Sequence, residues 1–533
     1  MRLIRTSIFF LSLVAKAVAQ VPAVDVQHYG FSLFLSDSTN HIEGRADVTV
    51  RFLSASSVLH LDLVPPGAKD SGMRVRTVTE GGRAVVFIRD RTGLSLRVRA
   101  RAGSLHTYRV SYGGIPADGL IISTNKFGHR AFFGDNWPDR AHQWLPCIDR
   151  PADKAAVDFT VTAPAHYQVV APGVKIEEVS LSRHRRRTHW RERVPLPTKV
   201  MVIGVADFAV SPPDSVLGIP LYTYVFPENK EQGFRDYAVA ARILPYYIRR
   251  IGPYAYEKLA NVQSKTIFGG MENASAIFYF ENSVGSRGME ELMAHEIAHQ
   301  WFGDAVTETD YQHLWLSEGF ATYMTHLYME DRYGADTLRK GMAADRKKVL
   351  ALALRHPSPV VDTAVHGGYM RLLNANSYQK GGWVLHMLRR ELGDSVFWEG
   401  IRRYFARYDG HNASTESFRA VMEEVSGRDL GPYFTQWLYT PGVPEIKVTW
   451  ASADGGAWDL RVEQVQPQLY AFPLEYSMGA DSTGANAAGG ALHTLRITDR
   501  VTLVRLPAGV APRDVRIDPD VNLLADIKIT LPS

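Results

Sequence analysis

Hydrophobic and polar residues alternate with a period of two through much of the N-terminal part of the chain. Clear examples are the segments 31–35, 46–50 and 157–161, which are separated by stretches that contain glycine, proline and asparagine. Such alternation is typical of β-strands that bury one face. We therefore predict an all-β domain over residues 20–208.

From residue 209 to about residue 441, apolar residues recur at spacings of three and four, which is typical of amphipathic helices. The stretches with this spacing are 234–251, 288–303, 316–333, 378–392 and 415–425. This part of the chain is therefore predicted to be a helix-rich domain.

Alternation with a period of two returns after residue 441, for example at 446–450 and 501–504. This pattern predicts a small β-sandwich over residues 442–533. The segment 479–490 consists almost entirely of small and polar residues, so we expect a loop between strands. Because 533 residues exceed what one hydrophobic core serves, the three regions together predict a multidomain α+β fold.

The start of the chain has the features of a secretory signal. Arg2 and Arg5 precede an apolar run over 8–15, and Ala17 and Ala19 are small residues at the two positions that signal peptidase reads. We therefore predict a signal over residues 1–19, cleavage after Ala19, and export to the periplasm or the medium. An uncleaved anchor is the alternative, although neither this run nor any later segment reaches the ~20 apolar residues that span a bilayer.

Composition does not imply a nucleic-acid partner. The net charge of +4 includes Arg2, Arg5 and Lys16 in the predicted signal, which holds no acidic residue, so removal of the signal lowers the charge to +1. The basic run 183–187 lies between two strand-like segments and is predicted to be a solvated hairpin tip. Cys147 is the only cysteine, which excludes an intramolecular disulfide, and we expect a small buried residue there.

The segment 295–299, with the sequence His-Glu-Ile-Ala-His, carries the most informative chemical signal in the chain. Residues four apart share a helix face, so His295 and His299 can bind one metal ion, and Glu296 beside them can take a proton from metal-bound water. Glu318, in Trp-Leu-Ser-Glu-Gly on the next predicted helix, is the expected third ligand. Two histidines and a glutamate leave one zinc position open for water, as in catalytic sites. A surface helix with two solvated histidines is the alternative.

Three further motifs lie at fixed distances from this segment. Gly-Gly-Met-Glu-Asn at 269–273 ends 22 residues before His295, and Glu318 lies 19 residues after His299. Tyr-Gln-Lys-Gly begins a further 60 residues on, at Tyr378. The ordered set resembles the gluzincin aminopeptidases, the family of aminopeptidase N and leukotriene epoxide hydrolase. The resemblance extends from about residue 29 to about residue 524.

This resemblance implies an N-terminal β saddle domain, a thermolysin-like catalytic domain and a C-terminal β-sandwich. It implies one zinc ion per chain, held by His295, His299 and Glu318, with Glu296 as the general base. Tyr378 is the implied donor of a hydrogen bond to the oxyanion that forms during hydrolysis. Longer relatives carry a further C-terminal helical domain, so we expect a short form with a more open site.

The Gly-Gly-Met-Glu-Asn motif implies binding of a peptide with a free N-terminus. Glu272 is the implied partner of the substrate α-ammonium, and Gly269 and Gly270 have no side chains that would block an extended peptide. Met271 and Asn273 complete this predicted substrate site.

One position departs from the family pattern. Relatives place a Gln or Glu that contacts the substrate amine where this chain has Trp137. Asp135 or Asn136 is a candidate replacement. Lys380 and Asp304 are expected to be structural, in a salt bridge or next to the metal ligands.

The predicted function is therefore that of an exported zinc aminopeptidase. Two alternatives remain: an epoxide hydrolase of the same fold, and a non-catalytic peptide-binding module with a degenerate metal site.

Overall fold

The computed structural model describes residues 23–67, 71–479 and 491–532. The predicted secretory signal and almost all of the predicted loop 479–490 lie outside these ranges. In the described residues the chain is a multidomain α+β protein, which confirms the predicted fold class.

The N-terminal region is built from β-strands. In chain order they are β1 (Val24–Phe34), β2 (Ile42–Phe52), β3 (Ser56–Asp62), β4 (Gly72–Glu80), β5 (Arg83–Ala84), β6 (Phe87–Arg89), β7 (Gly93–Ala100), β8 (Leu105–Ile115), β9 (Leu120–Thr124), β10 (Arg130–Gly134), β11 (Lys154–Pro164), β12 (Gln168–Val170), β13 (Val174–Ser182), β14 (Arg185–Pro197) and β15 (Gly204–Ala206).

A large sheet with the order β13-β14-β11-β1-β2-β8-β4-β5 dominates this region. The three segments in which alternation was clearest lie in β1, β2 and β11, which are neighbours in this sheet. Phe31 pairs with Phe159 across the parallel β1–β11 ladder, and both side chains are buried. Two smaller sheets, β12-β15-β10-β9 and β3-β7-β6, pack against the same core.

The basic run and the cysteine are where the sequence predicts them. Arg183 and His184 form the turn between β13 and β14, and Arg186 and Arg187 pair with glutamates of β13. Cys147 is buried, and burial raises the pKa of its thiol well above the usual value.

The middle region combines a mixed sheet with helices. Its strands are β16 (Ala209–Val210), β17 (Asp214–Val216), β18 (Ile219–Val225), β19 (Leu259–Ser264), β20 (Gly270–Met271), β21 (Ala276–Phe280), β22 (Thr307–Glu308) and β23 (Asn412–Ala413). Its helices are α1 (Lys230–Tyr237), α2 (Ala240–Arg250), α3 (Met289–His299), α4 (Trp315–Tyr333), α5 (Ala335–Arg355), α6 (Gly381–Leu392), α7 (Asp394–Tyr408), α8 (Thr415–Ser426) and α9 (Gly431–Phe434).

The predicted helix over 234–251 is wrong as a single element. A turn at Ala238 and Val239 separates α1 from α2. Pro245 inside α2 has no N–H for the carbonyl of Ala241, which weakens a continuous helix at this point. The predicted helix over 378–392 also differs, because a π-helical turn, Asn376–Lys380, precedes α6. None of the described helices combines the length and apolar character that crossing a bilayer requires.

The C-terminal region returns to strands, as predicted: β24 (Glu445–Ser452), β25 (Trp458–Gln464), β26 (Phe472–Met478), β27 (Ala491–Ile497), β28 (Val501–Arg505), β29 (Val515–Ile517) and β30 (Asp526–Ile529). They form two sheets, β28-β25-β24-β30 and β27-β26-β29.

Two large hydrophobic clusters cross between these regions. One joins buried side chains of the middle-region helices, such as Ile297 and Phe320, to Val448 and Leu460 of the C-terminal strands. The other joins the N-terminal sheets to Val262 and Phe278 of the middle sheet. Helices α3 and α4, which carry the motif histidines and Glu318, therefore lie in a densely packed interior.

Candidate active site

Two neighbouring helices bring the predicted metal ligands together. His295 and His299 are on the last turns of α3, and Glu318 is on the first turn of α4. The Oε2 atom of Glu318 lies 3.3 Å from Nε2 of His295 and 3.2 Å from Nε2 of His299, and the two imidazole nitrogens are 3.1 Å apart. The three ligand atoms thus converge on one point, as the spacing on two helices predicts.

Contacts of its Nδ1 atom fix the orientation of the His299 ring. Its Nδ1 lies 3.0 Å from the carbonyl of Phe302 and 3.1 Å from Oγ of Ser317. A proton on Nδ1 donated to that carbonyl leaves the lone pair of Nε2 free for a metal. Gly303 permits this packing, because it has a φ of +128° and an added Cβ would lie 2.5 Å from the Ser317 hydroxyl.

The electrostatics of the cluster suit a cation. Burial would lower the pKa of His299, but Glu272, Glu318 and Glu296 raise it to about 10. Burial likewise opposes ionisation of Glu318, yet the two imidazoles hold its pKa below the usual value. Among the described residues, the buried Oε2 atom of Glu318 makes no hydrogen bond, although the two imidazole nitrogens lie 3.2 and 3.3 Å from it. Two histidine nitrogens and a carboxylate are zinc ligands, so the residues fit the predicted ion.

Glu296 lies next to the Gly-Gly-Met-Glu-Asn motif at 269–273, which is called the anchor motif from here on. An added Cβ at Gly270 would be 2.3 Å from Oε1 of Glu296, so a larger residue here would displace this carboxylate. Burial, together with Glu272 and Glu318, raises the pKa of Glu296 well above its usual value, although His299 opposes the shift. The need for glycine at position 270 therefore comes from Glu296, which the sequence alone did not reveal. By contrast, an added Cβ at Gly269 would meet nothing within 4 Å.

Tyr378 reaches the same cluster from the π-helical turn. Its hydroxyl donates to Oε1 of Glu318 at 2.8 Å, and its ring stacks on His295 at a centroid distance of 6.0 Å. The turn is held against α4 by a backbone contact, since an added Cβ at Gly319 would lie 2.8 Å from the backbone of Gly381. This contact explains the glycines in both the Trp-Leu-Ser-Glu-Gly and Tyr-Gln-Lys-Gly motifs.

A cleft of about 270 Å³ connects these groups. It is lined by Trp137, Phe268, Gly269, Gly270, Met271, Glu272, Leu292, His295, Glu296, His299, Glu318, Leu373 and Tyr378. Glu272 is 5% exposed, and its Oε1 has no hydrogen-bond donor in the described part of the protein. An unpaired carboxylate in a nearly dry pocket is costly unless a cationic group binds to it.

Asn273 is the one member of the predicted substrate site that the structure does not bring to the cleft. Its side chain is fully buried, and its carbonyl accepts a hydrogen bond from the N–H of Ala276 in the turn before β21. The structure therefore does not place Asn273 in the lining of the cleft, and its part in substrate binding stays a prediction.

The structure does not place either candidate for the second amine contact, Asp135 or Asn136, in the lining of the cleft. The carboxylate of Asp135 accepts hydrogen bonds from Arg140 at 2.9 Å and from the N–H of Ile267 at 2.9 Å. The amide of Asn136 donates to two backbone carbonyls and accepts from Trp144. Both side chains are fully buried and committed to these partners, and only Trp137 of this stretch lines the cleft.

Lys380 and Asp304 are structural, as predicted, but not through a salt bridge at Lys380. The Lys380 ammonium donates to the carbonyls of Thr440 and Gly442, and burial lowers its pKa to about 7. Asp304 accepts a hydrogen bond from Gln300 at 2.8 Å. Gln300 itself was missed, although a polar residue directly after the His-Glu-Ile-Ala-His segment on a buried helix was a signal that it has a bonding role.

Comparison with known families agrees with this geometry. The profile described as the Peptidase family M1 domain matches residues 236–437, which contain every residue of the metal cluster and Tyr378. The profile described as the Peptidase M1 N-terminal domain matches residues 25–200.

Curated relatives are similar over more than half of the chain. Aminopeptidase M1-C of Oryza sativa subsp. japonica is 29% identical over 324 residues, covering 58% of this chain and 37% of that protein. Probable aminopeptidase 1 of Sulfurisphaera tokodaii is 25% identical over 451 residues, covering 80% of this chain and 54% of that protein. Glutamyl aminopeptidase of Bos taurus is 27% identical over 330 residues, covering 59% and 34%. The matched part thus spans from a third to about half of the length of these relatives.

Proposed function

Because the chain belongs to peptidase family M1, we propose that it is a zinc-dependent aminopeptidase that removes the N-terminal residue from peptides. The observation that carries this proposal is the buried Oε1 of Glu272, which has no hydrogen-bond partner among the described residues and lies in the same cleft as His295, His299 and Glu318. A metal site and a general base are sufficient for the hydrolysis of internal peptide bonds. A carboxylate beside the metal site, as at Glu272, favours a substrate with a free α-ammonium.

The metal chemistry follows from the ligand set. When bound by His295, His299 and Glu318, zinc supplies a Lewis acid that polarises the scissile carbonyl and acidifies water. Glu296 takes the proton of the attacking water and then delivers it to the leaving amine. Its position beneath the anchor motif, against Gly270, supports this role because the carboxylate faces the cleft.

Tyr378 is proposed to donate a hydrogen bond to the oxyanion of the tetrahedral intermediate. Its hydroxyl already lies at the metal ligands, 2.8 Å from Glu318. Packing on His295 and the π-helical turn hold the ring in this place. Such a fixed donor needs little rearrangement as negative charge develops.

Glu272 is proposed to pair with the substrate α-ammonium. A blocked or internal amide carries no positive charge, so it would leave the carboxylate desolvated and unpaired. The open space beside Gly269 supports room for an extended peptide next to this anchor. The pairing would place the first peptide bond, rather than a later one, at the metal.

A panel of three substrates tests the proposal. Purified zinc-loaded protein should hydrolyse aminoacyl-p-nitroanilides, and it should leave N-acetylated peptides and a leukotriene-type epoxide unchanged. Hydrolysis of the epoxide alone would identify an epoxide hydrolase instead. Binding of free-amine peptides without turnover would identify a peptide-binding module.

We also propose that the protein is exported, on the strength of the predicted signal over residues 1–19. Cell fractionation with N-terminal sequencing tests this, and the expected product begins at Gln20 outside the cytoplasm. A cytoplasmic protein that retains Met1 would contradict export without affecting the proposed activity.

A further inference from the structure

The loop that carries Glu272 is attached to the rest of the protein at Ser275, three residues further on. Ser275 is fully buried and has a φ of +56°, a left-handed conformation that residues other than glycine adopt only when their surroundings hold them there. Every polar group of Ser275 has a partner. The loop is therefore held in one conformation by identifiable contacts.

Gln300 connects this loop to α3, the helix that carries His295 and His299. It caps the C-terminal end of α3, one residue after His299, and is 1% exposed. Its Oε1 accepts from the N–H of Ser275 at 2.7 Å, and its Nε2 donates to the carbonyl of Glu272 at 2.8 Å. The same Nε2 donates to Asp304 at 2.8 Å. One side chain thus bonds both ends of the segment from Glu272 to Ser275.

Lys258 and the N-terminal region hold Ser275 from the other side. The buried Lys258 ammonium donates to the carbonyl of Ser275 at 2.9 Å, to its hydroxyl at 3.1 Å, and to the carbonyl of Ala171 at 3.0 Å. The N–H of Gly173 donates to the Ser275 hydroxyl at 2.8 Å. The loop is thereby fixed to the zinc helix and to the N-terminal domain at one residue.

We infer that Gln300 is a positioning residue that sets the distance between the Glu272 carboxylate and the metal cluster. This inference rests on the amine-binding role of Glu272 proposed above. Gln300 is not among the residues that line the cleft, and it acts by holding the backbone carbonyl of Glu272. The distance between the Glu272 carboxylate and the metal ligands determines which peptide bond of the substrate lies at the metal. If the loop that carries Glu272 becomes more mobile, free-amine substrates should bind less tightly with their first peptide bond at the metal.

Gln300→Leu tests the inference, because leucine keeps the size of the side chain and removes its hydrogen bonds. We expect kcat/KM on an alanyl-p-nitroanilide to fall about 10- to 100-fold, chiefly through KM, since displacing a bound group by about 1 Å has effects of this size. Bound zinc, measured by metal analysis, should stay at one per chain.

The decisive measurement is a double-mutant cycle with Glu272→Ala. If Gln300 acts through Glu272, adding Gln300→Leu to Glu272→Ala should change kcat/KM by less than about threefold. Full additivity of the two losses would overturn the inference. If Glu272→Ala alone leaves the preference for free amines unchanged, the proposed anchor fails first, and the inference fails with it.

A matched control separates positioning from general destabilisation. Gln263 is also fully buried in the catalytic domain, and its amide makes three comparable bonds, to Phe226, Asn229 and Glu281. Gln263→Leu should lower the melting temperature without raising KM for the alanyl substrate, and an equal rise in KM would overturn the inference. Should Gln300→Leu fail to fold, Gln300→Asn takes its place in the same cycle with the same two outcomes, because its amide is one methylene too short to keep the bonds to both Ser275 and Glu272.

Discussion

The two walls of the cleft are built in different ways. The metal wall, formed by α3, α4 and Tyr378, holds its groups on helices of one domain, where the ligands contact one another directly. The anchor wall, formed by residues 268–275 and Trp137, is a loop held by contacts from distant parts of the chain. Gly173 lies 102 residues from its partner Ser275, and Ala171 lies 87 residues from Lys258. The comparison suggests that chemistry and substrate selection reside on separate walls and can be damaged separately.

The largest expected effect concerns the metal wall. Glu296→Gln keeps the size of the side chain and leaves the ligands intact, so zinc should remain bound while turnover falls by up to about 10⁴-fold. Metal analysis and kcat on an aminoacyl-p-nitroanilide measure the two quantities. Full zinc with near wild-type turnover would remove Glu296 from its proposed role.

Tyr378→Phe should have the next largest effect. Loss of the hydroxyl should lower kcat about 10²- to 10³-fold with little change in KM, the pattern of an interaction made in the transition state. The hydroxyl also bonds to Glu318, so zinc content must be measured in the same preparation. A loss of zinc that accounts for the whole decrease would show that Tyr378 supports a ligand rather than the oxyanion.

Glu272→Ala addresses the anchor wall alone. Removing the charged hydrogen bond should lower kcat/KM on free-amine substrates about 10- to 100-fold, and it should reduce their advantage over N-acetylated substrates. Zinc should be retained, because the metal wall is unchanged. If the ratio of the two substrates stays as in the wild type, another group holds the amine.

The smallest effect on activity is expected from replacing Lys154. Its ammonium connects the N-terminal domain to the segment after α3 by donating to the carbonyls of Asp304 and Ala305. Burial lowers the pKa of Lys154 to about 7. The unfolded chain keeps this proton to about pH 10. Between about pH 7 and pH 10 the unfolded state therefore binds more protons, and the wild type gains stability as pH rises.

The Lys154→Met variant has no titratable group at this position. Its free energy of unfolding relative to the wild type should therefore fall as pH rises across this window, by up to about 1.4 kcal/mol per pH unit. Denaturant unfolding of both proteins at several pH values measures the difference. A difference that does not vary with pH would mean that Lys154 stays charged in the folded protein.

The contrast between the walls also explains what the sequence could predict. His295, His299 and Glu318 were predictable because residues four apart on a helix share a face, whatever surrounds them. Tyr378 was predictable only through its motif, and the π-helical turn that presents it was not. The structure brings His295, His299 and Glu318 close together, while their roles stay predictions.

The contacts of the anchor wall could not be predicted from the sequence where they depend on side chains that are distant along the chain. Asp135 was a reasonable amine partner until the structure showed Arg140 and Ile267 bonded to it. Gly270 was interpreted as room for substrate, whereas Glu296 occupies the space that a side chain would need. Gln300 was missed because its partners, Glu272 and Ser275, are identified only by the folded chain.

The hydrophobic clusters that run across the regions limit how this protein can be divided into fragments. Val448 and Leu460 complete the packing of the catalytic helices from one side, and the N-terminal sheets cover Val262 and Phe278 from the other. A fragment limited to residues 209–441 would leave both apolar surfaces facing water and would aggregate. Recombination between genes can therefore move residues 209–441 into another protein as a folded unit only together with the N-terminal and C-terminal regions.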